Sequence, residues 1–164
     1  MNKLEIIKSK IYSRETLKRQ IAIWRFKGKK IVFTNGCFDI LHFGHIDYLT
    51  KAADLGDILI IGLNSDISVI QLGKGKGRPI QDENSRSLIL SSLHFVDAVI
   101  LFDEPTPVEL IAIIQPDILV KGSDYKIEEI AGHEIVLERG GEVKLIDYLQ
   151  GYSTSGIEKK IKNS

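Results

Sequence analysis

With one cysteine, Cys37, the chain cannot form an internal disulfide, and four histidines in all leave little with which to build a metal centre. The closest histidine pair, His42 and His45, has no obvious third ligand nearby, so no metal ligated directly by protein is expected. Charge of one sign is also missing. Lys and Arg total 22, Asp and Glu total 22, and the formal net charge is zero. No broad positive field exists to draw nucleic acid or anionic lipid, and any anion must be gathered locally. No apolar run approaches the ~20 residues of a membrane span, and Met1 to Lys10 is too charged for a leader core. Internal repeats and low-complexity tracts are absent. These absences lead to the expectation of a soluble, cytoplasmic protein with neither nucleic-acid nor membrane partners.

The chain has 164 residues, 43% of them apolar, which suits one compact domain spanning 1–164 with a sheet covered on both faces. Apolar strand-like runs alternate with helical periods, the pattern of a parallel sheet flanked by helices. Strands are expected at Ile31 to Thr34, Asp57 to Leu63, Ala98 to Phe102, Ile118 to Lys121 and near Val143 to Ile146. The Ile-Leu-Ile-Ile run in the second reads as buried on both faces. Helices are expected at Ser13 to Phe26, Gly44 to Leu55, Ser85 to Leu93, Thr106 to Gln115, Glu134 to Arg139 and Ser153 to about Ile161. Pro116 stops one of these and Ser153 caps another. Trp24 and Phe26 of the first helix are read as docking on the domain.

One stretch is more informative than the rest. Thr34-Asn35-Gly36-Cys37-Phe38-Asp39 follows an apolar strand, and His42-Phe43-Gly44-His45 opens a helix. Gly36 is read as the residue that lets the backbone turn tightly. The helix start then offers free N–H groups and partial positive charge to an anion, with both imidazoles in the first turn. Each imidazole titrates near neutral pH and can donate a hydrogen bond. Spacing alone leaves capping, metal binding and phosphate chemistry open.

Gly36-Cys37-Phe38-Asp39 with His42-Phe43-Gly44-His45 resembles the signature of the cytidylyltransferase-like nucleotidyltransferases. Further strings follow in order: Gly62 to Asp66, Arg78-Pro79, Val120 to Tyr125, Ile130 to Gly132 and Gly151 to Ser155. Together they resemble the branch of adenylyltransferases that act on heptose 1-phosphates, from about residue 14 to 162. The resemblance implies a Rossmann-like α/β fold whose ligands collect beyond the carboxyl ends of the strands. It implies transfer of AMP from ATP to a sugar 1-phosphate, with Mg²⁺ on the β and γ phosphates, and a product, ADP-heptose, feeding surface glycan such as lipopolysaccharide. The sugar kinase fused before this domain in many relatives would be a separate protein here. A homodimer through the N-terminal helix is a further candidate.

The resemblance assigns catalysis to His42 and His45, with Lys74 and Arg86 on phosphate. Asn35, Gly36, Cys37, Phe38, Gly44, Asp66, Lys121, Gly122, Ser153, Thr154 and Ser155 would meet the nucleotide. Asp39, Lys76, Arg78, Asp124 and Tyr125 would meet the acceptor. The residues themselves leave alternatives. Lys74, Lys76 and Arg78 lie among Gly73, Gly75 and Gly77, either a closing cationic loop or a solvated one. Arg86 is oddly placed for the helix dipole. Lys121 ends a buried strand, so it should meet an acidic neighbour or a phosphate. Asp39 either orients its loop or contacts sugar hydroxyls. Cys37 is read as a turn residue and not a reactive thiol.

Glycerol-phosphate cytidylyltransferases on the same scaffold carry arginines at the places of His94 and in the segment matched by Tyr148-Leu149-Gln150. Their absence here weighs against cytidylyl transfer. Ser155 in place of a usual threonine and the lengthened Gly73 to Gly77 loop leave the sugar open. A cytidylyltransferase acting on glycerol 3-phosphate and a non-catalytic nucleotide-binding regulator stand as alternatives.

Overall fold

The computed structural model describes residues 2–73, 75 and 77–163. A six-stranded sheet holds β1 (Ile11–Tyr12), β2 (Ile31–Gly36), β3 (Ile58–Asn64), β4 (Ala98–Phe102), β5 (Ile118–Gly122) and β6 (Glu142–Ile146), all parallel, in the order β1-β4-β3-β2-β5-β6. Around it lie α1 (Lys3–Lys8), α2 (Arg14–Phe26), α3 (Phe43–Ala53), α4 (Asp66–Gln71), α5 (Glu83–Ser92), α6 (Val108–Ile114), α7 (His133–Glu138) and α8 (Thr154–Lys162). This is the α/β, Rossmann-like architecture expected from the alternating pattern.

Strand alternation divides the core in two. Ile31, Phe33, Ile58 and Ile60 face α2, α6 and α7, whereas Val32, Leu59 and Ile61 face α3 and α5. Every residue of β3 is buried, which explains why its sequence reads as unbroken apolar residues instead of alternating ones. Each such side chain contributes about 1.5–3 kcal/mol by leaving water.

Three aspartates fix where neighbouring strands begin. Asp57, Asp97 and Asp117 each directly precede a strand and hold the adjacent one at two points. Their N–H groups donate to the carbonyls of Lys30, Leu59 and Ile31. Their carboxylates accept the N–H groups of the same three residues, at 2.9, 2.8 and 2.7 Å. A one-residue slip would break both contacts and turn the apolar face outward.

Trp24 packs against the core as expected, but Phe26 is 93% exposed and does not dock on the domain, and four segments also differ from the sequence-based expectation. α1 and β1 lie in what reads as a charged leader to the first helix; Asn2 and Glu5 form a capping box for α1, and β1 extends the sheet beyond β4. α4 occupies a stretch expected only as a loop, with Ser65 accepting the Ser68 N–H at its start. Gly36 does not make the turn after β2. It is the last residue of that strand, and the left-handed residue is Phe38, with φ 44°. Gly36 is required for a different reason: a Cβ there would stand 3.0 Å from the Phe38 ring.

Ile31 is fully buried, so removing the acceptor for its N–H leaves an unpaired donor in the core. Asp117→Ala should therefore cost about 1–3 kcal/mol in urea unfolding, with no change in the slope of the transition.

Candidate functional site

The strand order turns back at β2, with β3 and β4 on one side and β5 and β6 on the other. Helices leaving opposite faces open a crevice between the carboxyl ends of β2 and β5. A cavity of about 620 Å³ lies there, reached by Asn35 and Gly36 of β2, Lys121 and Gly122 of β5, and His45 of α3. A second lobe of about 560 Å³ runs between the start of α3 and the segment from Tyr148 to Thr154. His45, Tyr148 and Thr154 line both lobes.

His42 is the N-cap residue of α3, and its side chain makes no capping hydrogen bond. Its ring stacks on His45 with centroids 3.8 Å apart and planes 22° apart, and Phe38 meets His45 edge-on at 5.2 Å. The strained Phe38 backbone is thus coupled to the orientation of the second histidine. Burial holds the His42 imidazole below its ordinary range, so it is neutral at neutral pH. Two stacked imidazolium ions would repel, and a neutral partner removes that cost. Of the first-turn N–H groups of α3, that of His45 donates to the His42 carbonyl at 2.9 Å, and those of Phe43 and Gly44 lie beside the pair with no helical carbonyl in reach.

Across the crevice, α8 presents its own start. Ser153 accepts the Gly156 N–H at 3.0 Å, so it caps the helix, while Thr154 and Ser155 line the main lobe. Lys121 donates to the Asn35 carbonyl at 3.4 Å, and its ammonium stands 5.8 Å from the Tyr125 ring centroid. It therefore meets a carbonyl and an aromatic face at the end of the strand.

Two arginines expected on substrate have partners within the protein. Arg86 is fully buried. Its guanidinium donates to the carbonyls of Gln81 (3.0 Å), Cys37 (2.8 Å) and Asn64 (2.7 Å) and to Asp66 Oδ1 (2.6 Å). It lies behind the crevice, outside the lining, and so does Asp66, whose carboxylate it holds. Arg78 lines the cavity but is paired with Asp39 at 2.7 Å and Glu158 at 2.9 Å, linking the glycine loop to α8. Lys74 and Lys76 lie outside the described residues.

Asp39 orients its loop. It is buried, and its oxygens accept the N–H groups of Ile80 and Gln81 as well as Arg78. Burial pushes its carboxyl up, but the Gln81 and Ile80 N–H groups and Arg78 outweigh that and hold it below the usual range.

The sequence reading passed over Tyr48 and Tyr148. Tyr48 is buried on α3 and shares a 2.8 Å hydrogen bond with Thr34, and Tyr148 stacks on it at 5.9 Å. Gly122 has no room for a side chain, since a Cβ would lie 2.2 Å from the Tyr148 ring and hydroxyl. A glycine directly after a strand-end lysine was the one sequence signal for that close approach.

Comparison with known proteins agrees with this geometry. Residues 33–160 match the family model described as cytidylyltransferase-like. The chain is 54% identical over 155 residues to the bifunctional protein HldE of Wolinella succinogenes, covering 94% of this chain and 32% of that protein. With the bifunctional protein HldE of Campylobacter concisus the identity is 57% over 136 residues, 83% of this chain and 28% of that one. The chain thus spans about a third of the length of the curated relatives it matches. A crystal structure of the lipopolysaccharide core biosynthesis protein from Thermoplasma volcanium superposes with a TM-score of 0.62 at 35% identity, covering 76% of this chain and 99% of the other.

Two outcomes follow from these contacts. Arg86→Ala should destabilise the fold by about 2–5 kcal/mol, measured by denaturant unfolding, because it strips three buried or part-buried carbonyls of their donor and leaves the part-exposed Asp66 carboxylate without its partner. Asp39→Asn should lower stability by about 1–3 kcal/mol above the ordinary carboxylate range near pH 4. Folded Asp39 binds its proton more weakly than the unfolded chain does. The wild-type advantage should therefore fade as pH falls through the lowered pKa, followed by urea midpoints from pH 7 to pH 2.

Proposed function

The chain belongs to the cytidylyltransferase-like family, and on that footing we propose that it transfers AMP from ATP to a sugar 1-phosphate, D-glycero-β-D-manno-heptose 1-phosphate, releasing pyrophosphate. One observation carries the reading: two stacked histidines at a helix start, a strand-end lysine and a second helix start converge on one crevice at the turning point of the sheet. All are donors or partial positive charges, and none is an activated nucleophile.

That composition suits phosphoryl chemistry whose nucleophile comes with the substrate. A phosphate monoester is anionic near neutral pH, so its oxygen can attack the α-phosphorus without a strong protein base. The new P–O bond forms as the bond from the α-phosphorus to its bridging oxygen breaks, and the electron pair leaves with pyrophosphate. Positioning and charge stabilisation are then what the protein contributes. His45, in the wall shared by both lobes, donates to the α-phosphate and bridging oxygen; His42, neutral and stacked on it, holds its plane and adds a second donor. Lys121 and the α3 and α8 starts attract the remaining phosphate charge.

Among the described residues no three His, Cys, Asp or Glu side chains are grouped to hold a metal, and Asp39 is occupied by Arg78 and two backbone N–H groups. In this proposal the Mg²⁺ therefore comes with ATP, on phosphate oxygens. No helix among the described residues is long and apolar enough to cross a membrane. The acceptor assignment is supported by the relatives named HldE, by the neighbour named for lipopolysaccharide core biosynthesis and by the segment from Lys121 to Tyr125. The cytidylyl alternative is tested in the same assay.

Pyrophosphate release should be fastest with ATP and the heptose 1-phosphate, and slow with CTP or glycerol 3-phosphate. His45→Ala should lower kcat by about a hundredfold or more, as expected for losing a transition-state donor, with the unfolding midpoint unchanged. A variant that turns over every acceptor at the wild-type rate would remove His45 from catalysis.

A further inference from the structure

Tyr148 has no role in the reading above, yet its placement is closely determined. Its ring packs on Tyr48, which is tied to Thr34 of the central strand by a 2.8 Å hydrogen bond. Its hydroxyl lies over Gly122, at the end of β5 and next to Lys121. Half of its surface remains open, at 51% exposure, and Tyr125 beside the same lysine is 44% exposed. Exposed aromatic rings that are fixed in place form a surface on which another molecule can lie.

The chemistry around Tyr148 selects the kind of molecule. Its phenol is pushed up to about 12 by burial, then by the charge of the nearby Asp124 carboxylate and by Tyr125. The hydroxyl therefore stays protonated with a lone pair to accept, and the Asp124 carboxylate accepts only. Such a pair repels phosphate but receives hydroxyl hydrogens. Apolar ring faces next to acceptors match the alternating C–H and O–H surfaces of a sugar ring. Tyr148 and His45 both line both lobes, so a sugar lying on Tyr148 shares the cavity with His45.

We propose that Tyr148, with Asp124 and Tyr125, forms the platform that binds the sugar ring of the acceptor, Tyr148 acting as a specificity-determining residue that sets the ring beside His45. The phosphate of the acceptor is held at Lys121, and the ring hydroxyls are read by the Tyr148 hydroxyl and Asp124. This rests on the assignment of a sugar 1-phosphate acceptor.

The test is steady-state pyrophosphate release by the full chain. Tyr148→Phe keeps the ring stacked on Tyr48 and removes only the hydroxyl. It should raise the KM for the sugar 1-phosphate about ten- to a hundredfold while the KM for ATP stays within about twofold. Asp124→Asn should show the same split. Methyl phosphate, competing with the acceptor but lacking ring hydroxyls, should inhibit wild type and Tyr148→Phe with equal Ki. A merely structural tyrosine would leave all three constants unchanged in the Phe variant, and that result overturns the assignment, as does a rise confined to the KM for ATP. A wild-type protein that releases no pyrophosphate with any sugar 1-phosphate overturns the acceptor reading itself, and the platform with it.

Discussion

A guanidinium with no exposed surface must have its charge balanced and its N–H groups matched, and Arg86 meets that demand only where three chain segments come together. It gathers the carbonyl after β2 at Cys37, the carbonyl ending β3 at Asn64, the carbonyl preceding α5 at Gln81 and the carboxylate opening α4 at Asp66. These segments form one wall of the crevice. Strand ends have no ladder partner beyond the last residue, so without such a brace the loops leaving β2 and β3 would be set only by their own turns. Arg78 does for the rim what Arg86 does for the base. It joins Asp39, which itself holds Ile80 and Gln81, to Glu158 on α8.

This arrangement suits a neutral protein to the anionic ligand proposed for it. Both arginines have partners inside the protein, so among the described residues what faces the crevice is mostly dipolar: the starts of α3 and α8, two imidazoles of which His42 is neutral, and Lys121 near an aromatic ring. Donors of this kind cost little to assemble because they do not repel one another as a cluster of free cations would. Fixed in place before the ligand arrives, they need no reorganisation when charge develops.

Much of the fold was legible because burial on two faces leaves a plain mark. The Ile-Leu-Ile-Ile run of β3, the caps at Ser13 and Ser153, and Pro116 before β5 are local signals that the tertiary structure left in force. β1 carries no such mark. Its two residues are a strand only because β4 lies beside them. α4 was not expected either: it follows the Gly62 to Asp66 string directly, and the sequence was read there for its motif. In the site, His42, His45 and Lys121 were identifiable by type and position. Arg86 was read as a phosphate ligand but lies behind the crevice, since a cation in a motif looks the same whether it meets a phosphate or a carbonyl.

By itself the sequence determined the order of β2 to β6 and of the helices α2, α3 and α5 to α8 among them, which residues are apolar enough to form the two cores, and that a helix beginning at a histidine pair follows the first long strand. These depend on neighbours along the chain, and periodicity and capping record them directly. Only the tertiary structure decided that Phe38 and not Gly36 takes the left-handed turn, that Tyr148 lies against Gly122, and that the two arginines point inward. Those outcomes depend on which groups meet across tens of residues, and a buried charge takes whichever partner the packed fold brings within reach.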